Sequence, residues 1–340
     1  MNQTAVVKGF THLQGGHCES SAVSSIVTNY GLSLSEPMAF GISSAITFFY
    51  FPLIKVWGSP MLSFRMNPGA IVKGVQKRLG VRFVIRTYKD ENQGMEELDR
   101  LIDQGKPVGI QTGTNHLTYF LPEFRIFFNG HNTIVCGREG DEYIMSDPIF
   151  DHLTRIKRDD LRKARFSKGP NAPHGFMYYP EHVPAEADID YGTAIRKAIR
   201  TTVNMMLQPM FNFVGVKGIR TVARTIEKME SEPDRKKIVK FLTNLLLFQE
   251  EVGTGGGGYR FIYAAFLQEA HDKTGIPDLF KASKMMVEVG DVYRQAAVAC
   301  AKIIKGKQGE RDVKPIARLY RECADREEEV YLLLKKIRWR

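Results

Sequence analysis

Three residues of the 340-residue chain have the types and the order that a covalent mechanism needs: Cys18, His131 and Asp147. Cys18 follows the flexible run Gly15-Gly16-His17 and opens a predicted helix over Glu19 to Tyr30. The helix is read from Ala22, Ile26 and Tyr30 at four-residue spacing, with Gly31 where a C-terminal stop belongs. A thiol at a helix N-terminus faces unpaired N–H groups and the positive end of the dipole, which favour the nucleophilic thiolate. His131 begins a predicted strand, His131 to Cys136, and Asp147 ends the next, Glu142 to Ser146. The turn-rich stretch Gly137 to Asp141 joins the two as a β-hairpin turning near Gly140. Such a hairpin places imidazole and carboxylate at the same end of adjacent strands. Nucleophile, base and orienter then converge: the histidine takes the thiol proton and later hands it to a leaving group, while the aspartate holds the imidazole tautomer.

Taken singly, each residue has an ordinary structural use. Cys18 would be a small buried apolar side chain, His131 a satisfied core histidine and Asp147 a turn residue before Pro148. Order and spacing together favour the catalytic reading. Cys136, Cys300 and Cys323 stand far from Cys18 and from each other with no CxxC pair, which argues against a disulfide framework and a zinc cluster. The remaining histidines show no HExxH or paired ligand spacing, so no metal site is expected.

The elements that must position the trio alternate in type up to Tyr179. Pro68 to Leu79 and Glu91 to Gln104 read as helices, and Val81 to Thr87 and Pro107 to Gln111 as strands. The polar, proline-containing stretch Pro180 to Asp190 has the composition of a linker. Everything beyond it is helical in pattern, with breaks at Pro209, Pro233, Pro277 and Gly306. The expected architecture is therefore an α+β catalytic domain over residues 1–182 followed by an all-α helical domain over residues 183–340. Between two of those helices lies GTGGGG (Gly253 to Gly258), followed by Tyr259 and Arg260. Backbone N–H groups of Gly255, Gly256 and Gly257, with Tyr259 and the Arg260 guanidinium, form a candidate site for a phosphate. The alternative is a hinge or a close-packing loop, and the GxxxxGK[ST] spacing of a P-loop is missing. The cluster Phe48, Phe49, Tyr50 and Phe51 reads as core rather than as an acyl pocket.

The longest apolar stretch, around Ala45 to Val56, is broken by Pro52 and Lys55 and falls short of the roughly 20 residues that cross a bilayer. With no transmembrane span and no secretory signal pattern at the N-terminus, a cytoplasmic protein is expected. The formal net charge is +10. Up to His182 there are 20 basic and 17 acidic residues, and beyond it 28 and 21, so the excess sits mostly in the second half. An acidic partner is favoured in general, and the basic runs lack any nucleic-acid motif.

A helix-opening cysteine near the N-terminus, followed much later by histidine on one strand and aspartate on the next, is the chain order of papain-like folds. The segments His17-Cys18-Glu19-Ser20-Ser21-Ala22, Ser35-Glu36-Pro37-Met38-Ala39-Phe40-Gly41 and Thr47-Phe48-Phe49-Tyr50 resemble the N-terminal domain of the butirosin biosynthesis protein H family. Asp103 to Val108, Tyr119 to Pro122, Gly130-His131 and Ser146-Asp147-Pro148 follow in that family's order. Gly255 to Arg260 and Phe266 to Ala270 resemble the family's helical C-terminal domain of unknown function. The resemblance implies a papain-like, bacteriocin-leader-peptidase-like fold with Cys18, His131 and Asp147 as its triad. It also implies acyl transfer from the phosphopantetheine thioester of an acyl carrier protein to a small amine-bearing acceptor, with no cofactor held by the chain itself. Papain-like peptidases carry a glutamine shortly before the cysteine to bind the oxyanion, and Gln14 stands four positions upstream as the oxyanion candidate. The rival readings are a cysteine peptidase or amidase, and a non-catalytic carrier-binding protein.

Overall fold

Period-two alternation in the first half of the chain and helical periodicity in the second are both realised. A computed structural model describes residues 6–56, 58–251, 253–306 and 312–339. In chain order it begins with α1 (Cys18–Asn29), α2 (Glu36–Ile42) and a two-stranded hairpin of β1 (Ile46–Val56) and β2 (Ser59–Arg65). Next come α3 (Ala70–Leu79), β3 (Arg82–Arg86), α4 (Glu91–Asp103), β4 (Val108–Thr112), β5 (His131–Glu139), β6 (Glu142–Ser146), β7 (Thr154–Lys157), α5 (Arg158–Arg165) and β8 (Met177–His182). The remainder is helical: α6 (Tyr191–Leu207), α7 (Gly215–Lys228), α8 (Arg235–Leu246), α9 (Arg260–Thr274), α10 (Pro277–Lys305) and α11 (Lys314–Lys336).

The chain divides into two compact units. The first holds the chain up to Ala39 together with Pro68–Ile189. Its six-stranded sheet has the order β3-β8-β4-β5-β6-β7, antiparallel throughout. α4 and α5 close one face over a core that includes Leu98, Leu101, Val108, Val135, Leu161 and Met177. α1 packs against β4, β5 and β8. Every residue of α1 from Cys18 to Val27 is buried, so this serine-rich helix is enclosed on all sides, and Ser24 spends its hydroxyl on the Leu34 carbonyl at 2.7 Å.

The second unit joins Phe40–Asn67 to the chain from Asp190 onward. Two boundaries therefore differ from the sequence expectation. The stretch 40–67, expected within the first domain, contributes the β1–β2 hairpin to the helical unit. Phe48 meets Phe64 edge-on at 5.1 Å, and Tyr50 meets Phe241 at 6.2 Å. The aromatic cluster is thus packing material, in accord with the core reading of Phe48 and Tyr50. The linker also begins later than read. Pro180 to His182 still pair with β3, Arg82 lying opposite His182, because a strand at the sheet's interior must satisfy its backbone whatever its composition. Among the described residues, no helix is long and apolar enough to cross a membrane.

Candidate active site

Cys18 is the first residue of α1, and the loop before it is held by a carboxylate. Glu36 accepts the Gly16 N–H at 2.9 Å and the His17 N–H at 2.6 Å, and His17 caps the helix by accepting the Ser20 N–H at 3.3 Å. Gly15 donates to the Pro148 carbonyl at 3.0 Å, which ties this loop to the turn after Asp147. Only glycine fits there: a Cβ would come within 1.8 Å of Ser21 Oγ and 2.9 Å of Glu36 Oε2.

His131 Nε2 lies 2.7 Å from Asp147 Oδ2, with both side chains buried. Cys18 also acts on the imidazole, and with Nε2 given to Asp147 the ring nitrogen left to face a thiol is Nδ1. Cys18 Sγ stands 3.9 Å from the Gly130 carbonyl oxygen, one residue before His131. Burial alone would push the imidazolium down, but the charge and hydrogen bond of Asp147, helped by Cys18, raise it to about 10. Asp147 is itself fully engaged. Its Oδ2 also accepts the Tyr119 hydroxyl at 2.8 Å, and its Oδ1 accepts the Ile149 N–H at 3.1 Å. Burial, then the charge of Asp147, holds the Tyr119 phenol well above its usual range, so it remains a donor. Phe120 packs edge-on against the imidazole at 5.5 Å and Phe150 packs on Phe120 at 5.5 Å, an apolar wall on the histidine's side.

A bulge decides that imidazole and carboxylate meet. From the turn, Glu139 pairs with Glu142 and Gly137 with Ile144, but the next pairs are Val135 with Met145 and Ile134 with Ser146, which leaves Cys136 as the extra residue. Side chains alternate faces with period two, and directly opposed residues share a face. Continued without the bulge, the register would set Asp147 opposite Ile134, on the face away from His131. With the bulge Asp147 falls opposite Thr133, on the face of His131. The bulged carbonyl of Cys136 accepts the Val7 N–H at 2.7 Å, so the irregularity leaves no backbone group stranded.

The other proposed site residues are placed differently. Gln14 is exposed and its Nε2 donates to the Ile149 carbonyl at 3.2 Å, so its amide is engaged with the turn after Asp147. The glycine run turns its donors inward. The Gly256 N–H goes to Thr254 Oγ1 at 2.9 Å and the Gly257 N–H to the Glu250 carboxylate at 3.1 Å. Arg260 forms a fully buried ion pair with Glu327, at 2.9 Å from Nε and 3.0 Å from Nη2, and its Nη1 donates to the Gly258 carbonyl at 2.6 Å. The phosphate site read at Gly255, Gly256, Gly257, Tyr259 and Arg260 is corrected accordingly: the N–H groups of Gly256 and Gly257 and the guanidinium are spent on the protein's own acceptors. Gly255 to Gly258 all have φ between 58° and 84°, and Tyr259, at 69°, shares the left-handed region. A Cβ on Gly258 would lie 2.4 Å from the Phe64 ring, so the run serves close packing.

Glu36, Tyr119 and Phe120 escaped the residue-by-residue reading although they lie within the stretches that carry the family resemblance. Nothing in their spacing marks them, since they act on the trio through tertiary contacts.

The four cysteines are free and buried, which sharpens one expectation. Burial pushes the thiols of Cys136 and Cys300 up to about 12 and holds that of Cys323 well above its usual range, whereas Cys18 sits against an imidazole. Limiting iodoacetamide at neutral pH should alkylate Cys18 before the other three, read by peptide mass. Earlier labelling of any of the three would count against Cys18 as the reactive thiol.

Residues 17–148 match the family model described as butirosin biosynthesis protein H, N-terminal, and residues 159–334 match the domain of unknown function DUF4872. The second stretch includes β8, the strand between β3 and β4, so the sheet is assembled from both matched stretches. No curated protein matches the chain. A solved structure described as a C39-like peptidase from Bacillus anthracis aligns over 54% of this chain and 100% of its own, at 15% identity and a TM-score of 0.37. Since the DUF4872 match spans more than half of the residues, the chain belongs to that family, joined here to an N-terminal domain of the butirosin biosynthesis protein H type.

Proposed function

We propose that this protein is a cysteine-dependent acyltransferase that moves an acyl group from an acyl carrier protein thioester to an amine. The observation that carries the reading is the buried His131–Asp147 pair with Cys18 held at the carbonyl of the residue before His131, all within a stretch matching the butirosin biosynthesis protein H N-terminal domain. Cys18 Sγ attacks the thioester carbonyl while its proton resides on His131. The carbon–sulfur bond to the donor then breaks, and the leaving thiolate takes the proton from the imidazolium. The acceptor amine attacks the resulting acyl-Cys18, its proton passes to His131 and on to Sγ, and the amide is released. A thioester needs less help from leaving-group protonation than an amide does, so the trio suffices. Phosphopantetheine arrives on the donor, and the chain requires no cofactor of its own.

An acidic carrier suits the surplus of seven positive charges in the residues after His182. The test is to incubate the protein with an acylated carrier and follow its intact mass at low and moderate ionic strength. An acyl adduct on Cys18, absent in Cys18→Ala and discharged as an amide by an added amine, is the expected result. Loading by the carrier should fall steeply with salt, while loading by a small uncharged thioester changes little. Equal salt dependence would remove the carrier from the reading, and release of free acid in the presence of amine would make the enzyme a hydrolase.

A further inference from the structure

Acyl transfer from a thioester passes through a tetrahedral carbon whose oxygen carries the negative charge, and donors must meet that oxygen. As the first residue of α1, Cys18 brings its own N–H, one of those a helix leaves without an internal partner. Gln14, the upstream glutamine, gives its amide to the Ile149 carbonyl. Asn132 is placed otherwise. Val135 enters the core beneath α4 and α5, so Asn132, three residues earlier in β5, points to the opposite face of the sheet. The α1 residues take no part in that core, although α1 packs on β5, so it covers the face to which Asn132 points.

Cys18 Sγ and Asn132 Nδ2 share one acceptor. The Gly130 carbonyl oxygen lies 3.9 Å from the sulfur and 3.3 Å from the amide nitrogen, so both side chains reach the same backbone oxygen. The residue is only 1% exposed, and its Oδ1 has no hydrogen-bond partner. Nδ2 carries two protons, and the contact with Gly130, two residues away in the chain, uses one. The Nδ2 proton that Gly130 does not take is the donor left for a ligand at this site.

We infer that Asn132 is the second oxyanion donor of this site, its free Nδ2–H meeting the oxygen of the tetrahedral adduct on Cys18. The inference rests on the acyl-transfer reading. As the bond from Sγ to the carbonyl carbon forms and His131 holds the thiol proton, the π pair moves onto oxygen under Asn132. It returns as the bond to the donor sulfur breaks, and the leaving thiolate takes the proton from His131.

Two reagents separate this role from a structural one. Iodoacetamide alkylates by displacement at a saturated carbon and creates no oxyanion, so it reads the Cys18–His131 pair alone. The acetyl thioester of N-acetylcysteamine acetylates the same sulfur through an oxyanion. In Asn132→Leu and Asn132→Ala, acetylation of Cys18 followed by intact mass should slow about 100-fold, while alkylation stays within about twofold of wild type. Equal slowing of both reactions would make Asn132 a mere support for the pair, and slowing of neither would leave it without a role; each overturns the inference. Wild-type protein that is alkylated on Cys18 but never acetylated would overturn the acyl-transfer reading and this one with it.

Discussion

Alanine at His131 is expected to slow acetylation of Cys18 by about 10²- to 10⁴-fold, the range of a lost general base. The companion substitution Asp147→Asn keeps a hydrogen-bond acceptor facing Nε2 but removes the charge. Its signature should be a displaced pH profile. In the folded protein the imidazolium is raised from its ordinary 6.5 to about 10, against the pull of burial and through the charge and hydrogen bond of Asp147. Acetylation by a small thioester should therefore hold through neutral pH and lose its protonated histidine only as pH nears 10. In Asp147→Asn that alkaline limb should move down toward the ordinary histidine range.

Stability carries the same sign. A histidine whose proton is held more tightly in the folded than in the unfolded state stabilises the fold in full below about 6.5 and loses that contribution as pH rises to about 10. Urea unfolding of wild type should weaken across that window, and Asp147→Asn should flatten the dependence. Superimposable profiles of rate and stability for wild type and Asp147→Asn would remove Asp147 from the site.

In the helical unit, Glu327→Ala is expected to cost about 3–5 kcal/mol, because it leaves the Arg260 guanidinium buried without its anion. Neither side chain is exposed at all. Burial works against the Arg260 charge, and the Glu327 carboxylate more than offsets it, so the guanidinium stays protonated. Its Cζ lies 5.4 Å from the centre of the Phe64 ring and 5.0 Å from that of Tyr293, and the Tyr293 hydroxyl donates to Glu327 at 2.9 Å. Removing the carboxylate thus strips one partner from two donors at once. The double variant Arg260→Met with Glu327→Leu should recover most of the loss, since a buried pair exchanged for apolar side chains of similar volume is close to neutral. Chemical unfolding of the full chain measures both. A single variant as stable as wild type would show that the pair carries little of the helical unit's stability.

Much of the architecture was legible in local pattern. The helix opening at Cys18, the strands carrying His131 and preceding Asp147, the turn between them and the helical second half follow from spacing and from glycine and proline stops. All are decided within a dozen residues. What escaped depends on partners distant in sequence. β1 was missed, and with it the assignment of 40–67 to the helical unit, because the apolar run Ile46 to Phe51 finds its cover in residues such as Phe213 and Phe241. Arg260 looked like a ligand for phosphate because its partner, Glu327, lies 67 residues further along.

The sequence by itself determined that a thiol would stand at a helix N-terminus and that an imidazole and a carboxylate would stand at one end of a hairpin. Whether those two would share a face of the sheet was beyond it. Their separation has the wrong parity for the regular register set at the turn, and the single extra residue at Cys136 corrects it. No local propensity announces that bulge, since it is held by the Val7 N–H on the Cys136 carbonyl, a contact between segments about 130 residues apart in the chain. Tertiary structure alone decided it, because only the assembled sheet can pair the stranded carbonyl and bury the strand around it.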